Sequence, residues 1–272
     1  MSLEISNSGL QHLLELTTRK QFVNGKGQPQ VIACVLRSNE GRITTTSLVR
    51  DGKTSLSRFS CDSEGDALIP IPDIERLIGV LKAHGPEVTL EHLTEGIGKL
   101  RVKSGRKQTT LIAEGEGLAF PHSPDTISQW EEKSISRANQ IVEKGYQMAN
   151  GEVREPFFQY HFEDAGELSS ALKCDNINSQ RLNRYHFKLL DGVFTVKVGE
   201  ELKGATEIEF DAVGVGNDNF EASFEGGLEN VLSEYNGRPV TLQYLDFRPE
   251  GQGIRVIVRL PDDDWVFQAG VL

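Results

Sequence analysis

The sequence predicts an α+β protein in which two similar domains each pack two short helices on antiparallel sheets. Three observations lead to this prediction. A helix-and-strand unit occurs in both halves of the chain, apolar residues recur at helical spacing in four short segments, and period-two patterns fill the sequence between them. A chain of 272 residues can bury two cores of ordinary size. We therefore expect one domain at 1–120, a connecting segment at 121–154 and a second domain at 155–272.

The repeat is clearest between residues 72–113 and 226–269. Each stretch begins with a short helix, passes through a turn that contains Gly and Pro into an apolar strand, and continues through a Gly-rich turn into two more strands. The two helices share their apolar face, because both place apolar residues at positions i, i+3, i+4 and i+7. These residues are Ile74, Leu77, Ile78 and Leu81 in the first helix and Leu228, Val231, Leu232 and Tyr235 in the second.

Two further helices are predicted near 9–20 and 164–173, where leucines and alanines again recur at helical spacing. Alternating apolar patterns between the helices predict antiparallel strands and not the βαβ order of a parallel sheet. The expected strands lie at 31–37, 42–48, 55–60, 67–71, 185–190, 193–198, 206–211 and 220–224. Within the connecting segment, Ile135, Ala138, Ile141 and Val142 indicate a weakly amphipathic helix.

The composition is that of an intracellular globular protein. No run approaches the roughly 18 consecutive apolar residues that a membrane span needs, and the amino terminus has no basic segment followed by an apolar one. Cys34, Cys61 and Cys174 share no C-x-x-C spacing, which favours reduced thiols over disulfides or a zinc site. The formal charge of -11 argues against a protein that coats nucleic acid with its whole surface, but it is compatible with a local basic lining. We expect no membrane, metal or cofactor.

Catalytic motifs are missing from the sequence. It has no G-x-x-x-x-G-K-[ST] phosphate loop, no G-x-S-x-G elbow and no H-E-x-x-H metal helix. The acidic residues Asp262, Asp263 and Asp264 fit a polar turn between two strands better than a cation site. The six histidines show no ligand spacing. No catalytic residue is therefore predicted.

The carboxyl-terminal sequence carries a family resemblance. The segments VTLQY (240–244), DFRP (246–249), IRVIV (254–258) and WVFQAG (265–270) are similar to the last strands of DNA polymerase sliding clamps of the proliferating-cell-nuclear-antigen type, with bacterial and phage clamps as more distant relatives. The segment DGVFTVKVGE (191–200) resembles the strand by which such clamps join their neighbours. The resemblance covers nearly the whole chain outside the connecting segment, and it rests on the order and spacing of the repeated units.

This resemblance implies a ring-forming processivity factor that is not an enzyme. Clamps with two domains per chain close as homotrimers around duplex DNA, contact its phosphates without reading bases, and tether a DNA polymerase and other replication proteins. Whether a clamp loader is a further partner is left open. The edges expected to pair between subunits are 108–113 and 193–198. Their interface residues are Thr109, Thr110, Leu111, Ile112, Val193, Phe194, Thr195 and Val196.

Helices line the hole of such a ring, yet the four predicted helices are not basic overall. Each basic candidate in or near them also fits an ordinary solvated side chain. A separate basic cluster, Lys99, Arg101 and Lys103, alternates with Leu100 and Val102 and is better explained as the solvated face of a strand. The DNA-facing candidates are Arg19, Lys20, Arg76, Lys82, Lys173, Arg181 and Arg184.

The resemblance also implies an apolar pocket for partner peptides with aromatic and aliphatic anchors. Carried over position by position, the pocket draws on Leu48, Leu56, Pro249, Phe267, Ala269 and Gly270. Leu56 and Phe267 also fit core positions on alternating strands, and the long connecting segment can cover the pocket. Two other function classes stay open. One is a clamp-fold binding or processivity module that forms no ring, and the other is an enzyme whose site is assembled from residues far apart in sequence.

Overall fold

The computed structural model describes residues 2–23, 26–39, 41–48, 55–95, 98–112, 125, 129, 140–173, 184–200, 204–211 and 219–270, with the backbone alone at 21–23, 26–28, 46–48, 55–56, 200 and 204. The chain divides into two compact units. Unit 1 comprises residues 1–18, 31–52 and 56–139, and unit 2 comprises residues 19–30, 53–55 and 140–272. The last part of the connecting segment, 140–154, thus belongs to unit 2.

Four α-helices and 21 β-strands have bounds in the described ranges, and Asp125 and Gln129 are also helical. The helices are α1 (Asn7–Thr18), α2 (Ile74–Leu81), α3 (Ala165–Lys173) and α4 (Leu228–Ser233). The strands are β1 (Ser2–Ser6), β2 (Gln21–Val23), β3 (Lys26–Gln28), β4 (Ala33–Asn39), β5 (Arg42–Leu48), β6 (Ser55–Asp62), β7 (Ala67–Ile71), β8 (Glu87–Leu93), β9 (Lys99–Ser104), β10 (Lys107–Ile112), β11 (Ile141–Val142), β12 (Gly145–Gln147), β13 (Val153–Arg154), β14 (Phe158–Phe162), β15 (Arg184–Leu190), β16 (Val193–Glu200), β17 (Gly204–Asp211), β18 (Phe220–Glu225), β19 (Val240–Asp246), β20 (Ile254–Arg259) and β21 (Trp265–Ala269).

Unit 1 packs its two helices on antiparallel strands. One sheet has the order β1–β8–β9–β10, and β6, β5, β4 and β7 pair in that order as a second set. Period-two alternation decides which side chains enter the core. Leu3 and Ile5 on β1 and Leu100 and Val102 on β9 are buried, whereas the residues between them face outward. Full burial of such a side chain contributes about 1.5–3 kcal/mol.

The second helix of unit 1 begins at a side-chain cap. The carboxylate of Asp73, in extended backbone conformation, accepts the N–H of Arg76 at 2.9 Å and so satisfies one of the free donors of the first turn of α2. The predicted apolar stripe of this helix is buried in full. Capping and stripe together explain why α2 lies at the start of the predicted 72–113 unit.

Asn7, the first residue of α1, closes the opposite end of α2. Its Nδ2 donates to the carbonyl oxygens of Leu81 at 2.9 Å, His84 at 3.3 Å and Gly85 at 2.8 Å. The last carbonyls of a helix have no partner within the helix, so a buried amide that donates to this region offsets their desolvation. Asn7 is only 5% exposed, and it therefore joins the two helices of unit 1 through their ends.

We expect Asn7→Ala to lower the free energy of unfolding by about 1–2 kcal/mol, because the carbonyls of Leu81, His84 and Gly85 each lose a buried donor, although that of Leu81 keeps the N–H of His84 at 2.9 Å. Asn7→Asp should cost more, since a carboxylate would then face carbonyl oxygens. Urea unfolding followed by circular dichroism measures both changes. Asn236→Ala, at an exposed asparagine in the turn after α4, is the matched control. Equal unfolding midpoints for Asn7→Ala and Asn236→Ala would contradict the capping role.

Unit 2 is built around an aromatic core. Its strands pair in the orders β17–β16–β15–β18 and β14–β19–β20–β21, and it also contains the meander β11–β12–β13 and the pair β2–β3. Tyr244 on β19 is fully buried at the centre of this core. Its ring centroid lies 4.7–6.4 Å from those of Phe158, Phe187, Phe194, Phe220 and Phe224. Aromatic pairs at these distances add about 0.5–1.5 kcal/mol each beyond the area they bury.

The predicted fold class is confirmed, because both units pack short helices on antiparallel strands. The helix expected to include Ile141 and Val142 is wrong at those two positions. They form β11 and pair with Tyr146 and Gly145, so a local hairpin replaces the weak helical pattern. Ile135 and Ala138 lie outside the described residues. No helix in the described part of the chain is long and apolar enough to cross a membrane.

Candidate functional site

The two strands predicted to join subunits occupy different places in their sheets. Among the described strands, β10 pairs only with β9, so its other edge is not used by any of them. β16 pairs with β15 on one side and with β17 on the other. The prediction that Val193, Phe194, Thr195 and Val196 pair with a neighbouring subunit is therefore wrong, because both ladders of their strand already have partners.

In the described part of this sheet, β17 is the edge strand next to β16. Its register with β16 places Glu207, Glu209 and Asp211 on one face, and all three are exposed. Thr206, Ile208 and Phe210 alternate with them and are half-buried. The outer edge of unit 2 thus carries an acidic row.

The edge of unit 1 carries the opposite charge. The register of β9 with β10 places Lys99, Arg101 and Lys103 directly opposite Ile112, Thr110 and Gln108, on the face away from the core. Glu91 on β8 accepts a hydrogen bond from Arg101 at 3.1 Å and also pairs with Lys103. These bonds hold the pKa of Glu91 below its usual value. Glu91 is one carboxylate shared by two cations, so it offsets one of the three positive charges of this β9 row.

The DNA-facing candidates separate by exposure. Arg76, Lys82, Lys173 and Arg184 are exposed, Lys20 is half-buried, and Arg181 lies outside the described residues. The guanidinium of Arg76 donates to the carbonyl oxygen of Ile112 at 2.9 Å, which ties α2 to the end of β10. On and directly after the described helices, the exposed acidic residues outnumber the exposed lysines and arginines. The acidic residues are Glu15, Glu75, Glu167 and Glu234, and the basic ones are Arg76, Lys82 and Lys173.

Arg19 does not have the exposure that a phosphate contact needs. It is 3% exposed and has a left-handed φ of 42°. Burial lowers the pKa of its guanidinium to about 10, although nearby Tyr185 and Glu225 act in the opposite direction. Its Nε and Nη1 find no hydrogen-bond partner in the described structure. The sequence expectation for this residue is corrected accordingly: Arg19 belongs to the interior of unit 2.

A buried acid that the sequence analysis missed lies at the start of α4. Glu229 is 1% exposed, and its Oε2 accepts the hydroxyl of Tyr185 and the N–H of Gly227, the latter at 2.9 Å. Ser169 on α3 donates to the backbone carbonyl of Glu229 at 2.9 Å. Burial raises the pKa of Tyr185, and the negative charge of Glu229 raises it further. Nothing in the pattern around Glu229 distinguishes it from a surface helix residue.

The residues proposed for a peptide pocket also differ in exposure. Pro249 is exposed in the 3₁₀ turn Arg248–Glu250, Ala269 and Gly270 are half-buried, and Phe267 is completely buried. The side chains of Leu48 and Leu56 lie outside the described part of the structure. A Cβ at position 270 would meet the carbonyl oxygen of Ile254 at 2.7 Å, so this close approach requires glycine.

Phe267 is covered by a residue of the connecting segment. The ring of Tyr146 on β12 stacks on Phe267 with centroids 5.4 Å apart and an interplanar angle of 21°, and it meets Phe247 edge-on at 5.7 Å. The guanidinium carbons of Arg255 and Arg154 lie 4.4 Å and 4.7 Å from the centroid of Phe247. We call these five residues the aromatic clasp. Sequence reasoning missed Tyr146, because the segment that carries it has no clear strand pattern.

Sequence comparisons identify no relative, since no family model and no curated protein matches the chain. Structural comparisons match it from end to end. The DNA polymerase sliding clamp from Pseudomonas aeruginosa superposes with a TM-score of 0.61 at 15% identity, and the Helicobacter pylori beta clamp bound to a DNA ligase peptide with 0.64 at 8% identity. Both cover 100% of this chain.

The fold is that of the sliding clamps. The DNA polymerase III beta subunit of Thermotoga maritima agrees, with a TM-score of 0.56, 15% identity and 99% coverage of this chain. The predicted likeness is therefore confirmed for the clamp fold. The chain spans only 64–66% of the length of these three clamps. Within the described residues, no group of three or more His, Cys, Asp or Glu side chains could hold a metal ion.

Proposed function

We propose that this chain is a subunit of an intracellular DNA sliding clamp, a non-catalytic ring that encircles duplex DNA and tethers a DNA polymerase and other replication proteins. The observation that carries the proposal is the clamp fold along the whole chain. The edge strands β10 and β17 support it, because a subunit with one edge on each unit can join head to tail. We propose the homotrimer as the closed form.

The proposed contact pairs β10 of one subunit with β17 of the next, antiparallel. In the register that places the core-facing side chains of β10 and β17 on the same side of the joined sheet, their outward-facing side chains also share one side. The acidic row Glu207, Glu209 and Asp211 then lies two strand spacings, about 10 Å, from the basic row of β9. Lysine, arginine and glutamate side chains can approach one another over that distance. Thr109, Thr110, Leu111 and Ile112 stay in this proposal as the unit 1 edge.

The proposed contact with DNA is weak and independent of sequence. Arg76, Lys82, Lys173, Arg184 and the half-buried Lys20 are the candidates that reach solvent. Acidic neighbours on the same helices offset them, so few phosphates are neutralised at once. Retention would then depend on the closed ring and not on affinity. This arrangement suits a protein that slides, because no sequence offers a deep energy minimum.

Partner proteins are proposed to bind through short peptides. The H. pylori clamp, whose fold this chain shares, has been solved with a DNA ligase peptide. For this chain, Pro249, Ala269 and Gly270 around the buried Phe267 are the described candidates, and Leu48 and Leu56 remain predictions. Whether a clamp loader is needed remains open, because a loader would act on the assembled ring and the structure is that of one subunit.

The proposed ring predicts a mass near 90 kDa, three times the 30.1 kDa of the chain, by light scattering at micromolar concentration. It also predicts retention on a nicked circular plasmid that is lost when one restriction cut makes the plasmid linear. A nicked plasmid cut in the presence of end-blocking protein is the control and should keep the clamp. A monomeric mass would overturn the ring and leave the non-ring clamp-fold module as the function.

A further inference from the structure

Residues 140–154 form a separate three-stranded meander, β11–β12–β13, held to the rest of unit 2 at a few points. Arg154 donates to the carbonyl oxygen of Asp246 and pairs with Glu250, with Nη1 to Oε2 at 2.9 Å. Arg259 on β20 donates to the carbonyl oxygens of Val142 and Glu143, the second at 3.2 Å. Besides these bonds, the aromatic clasp is the main attachment.

Tyr146 acts in the clasp as an inserted aromatic side chain. Stacking on Phe267, edge contact with Phe247 and the guanidinium of Arg255 near both rings form a surface suited to one more aromatic ring. The meander also gives Arg259 two backbone carbonyls. Burial lowers the pKa of Arg259, and its guanidinium therefore requires acceptors at this position. The surface beneath the meander thus contacts an aromatic side chain and the backbone carbonyls of residues three and four positions before it.

The meander itself has little internal support. Its strands are two, three and two residues long, and they pair only with one another among the described strands. Small sheets of this kind are marginal in water without a packed face. Val153 on β13 is 39% exposed, so this strand buries little apolar surface. Local opening is therefore expected to cost much less than unfolding of unit 2.

We propose that residues 140–154 are a built-in competitor for partner peptides: Tyr146 occupies an aromatic-binding surface of Phe247, Phe267 and Arg255, and an extended peptide with an aromatic anchor binds there by displacing it. The identity of the partners rests on the proposed clamp function, whereas the exchange itself does not. A partner peptide would replace the contacts of the meander. It then needs an aromatic ring for the clasp and carbonyl oxygens for Arg259. It also needs a cation for Glu250, because Glu250 loses its pair with Arg154 when the meander is displaced.

The test uses the full-length chain and a fluorescent synthetic peptide with the sequence of residues 140–154. In the native chain the tethered segment competes at high local concentration, so the added peptide should bind weakly. Tyr146→Ala should tighten binding of the peptide about tenfold or more, as expected when a site that is open a tenth of the time becomes free. Tyr146→Phe keeps the ring and should bind the peptide like the native chain. The peptide with alanine in place of its tyrosine should not bind either protein.

A second variant tests release without altering the aromatic surface. Glu250→Lys replaces the pair with Arg154 by a repulsion in the tethered segment, and it should tighten binding of the shorter peptide 140–153, which has no Arg154, by severalfold. Circular dichroism melts check that both variants are folded. If Tyr146→Ala and Glu250→Lys both bind the peptide no better than the native chain does, the competitor role is overturned. Mass and plasmid retention of the same proteins test the clamp role separately. A monomeric protein that still exchanges the peptide would overturn the clamp role and leave the competitor role intact.

Discussion

Glu207→Lys, Glu209→Lys and Asp211→Lys together are expected to convert the proposed ring to monomers at micromolar concentration. The three new lysines would lie opposite the basic row of β9 in the neighbouring subunit, which carries charge of the same sign. Exposed ion pairs contribute about 0.5 kcal/mol each, and reversal replaces three attractions by three repulsions. The interface should therefore weaken by about 3 kcal/mol, or about a hundredfold in Kd. Light scattering across a concentration series measures the change.

The control for this triple variant has the same net charge. Lysines at the exposed Glu152, Glu163 and Glu221 change the total equally but lie away from the β17 edge. Adding Lys99→Glu, Arg101→Glu, Lys103→Glu and Glu91→Lys to the triple variant should restore the ring, since both rows and their internal partner are then reversed. A triple variant that keeps the native mass, at low as well as high salt, would exclude β17 from the interface.

The place of a strand within its sheet could not be predicted from sequence. Alternation predicted a strand at 193–198, and these residues lie within β16. It contains no information on which strands lie to either side, because the backbone ladder is the same at an edge and in the middle. Proline at Thr195 would therefore test folding of the sheet and not assembly.

Helices were more predictable than sites. The stripe of α2 fixed the position of that helix, because burial of one face is the main force that holds a short helix. Burial of single polar residues was not predictable in this way. Arg19 follows α1 as an ordinary basic residue would, and Tyr146 sits in a polar segment. Each lies beside a residue more than a hundred positions away in the sequence: Arg19 is near Tyr185, and Tyr146 stacks on Phe267.

Glu229→Gln is expected to destabilise unit 2 by about 2–3 kcal/mol, because it disrupts a buried acceptor that serves two donors at once. Oε2 of Glu229 accepts from the hydroxyl of Tyr185 and the N–H of Gly227, and the oxygen of a glutamine could accept both only as a neutral acceptor, whose bonds are about half as strong as those to a carboxylate. Turning its amide nitrogen toward Gly227 would bring two donors together. Urea unfolding of the full chain, followed by circular dichroism, measures the loss.

The partner of Glu229 gives the decisive comparison. Tyr185→Phe removes the hydroxyl that donates to Glu229 and also accepts the N–H of Gly227, but the carboxylate still accepts that N–H, so the change should cost less, about 1 kcal/mol. The double variant should cost less than the sum of the two, since the bond between the two side chains is lost only once. Glu234→Gln, at the exposed end of α4, is the control and should change little. If the losses in free energy of unfolding caused by Glu229→Gln and Tyr185→Phe simply add in the double variant, the hydrogen bond between the two side chains does not contribute to stability.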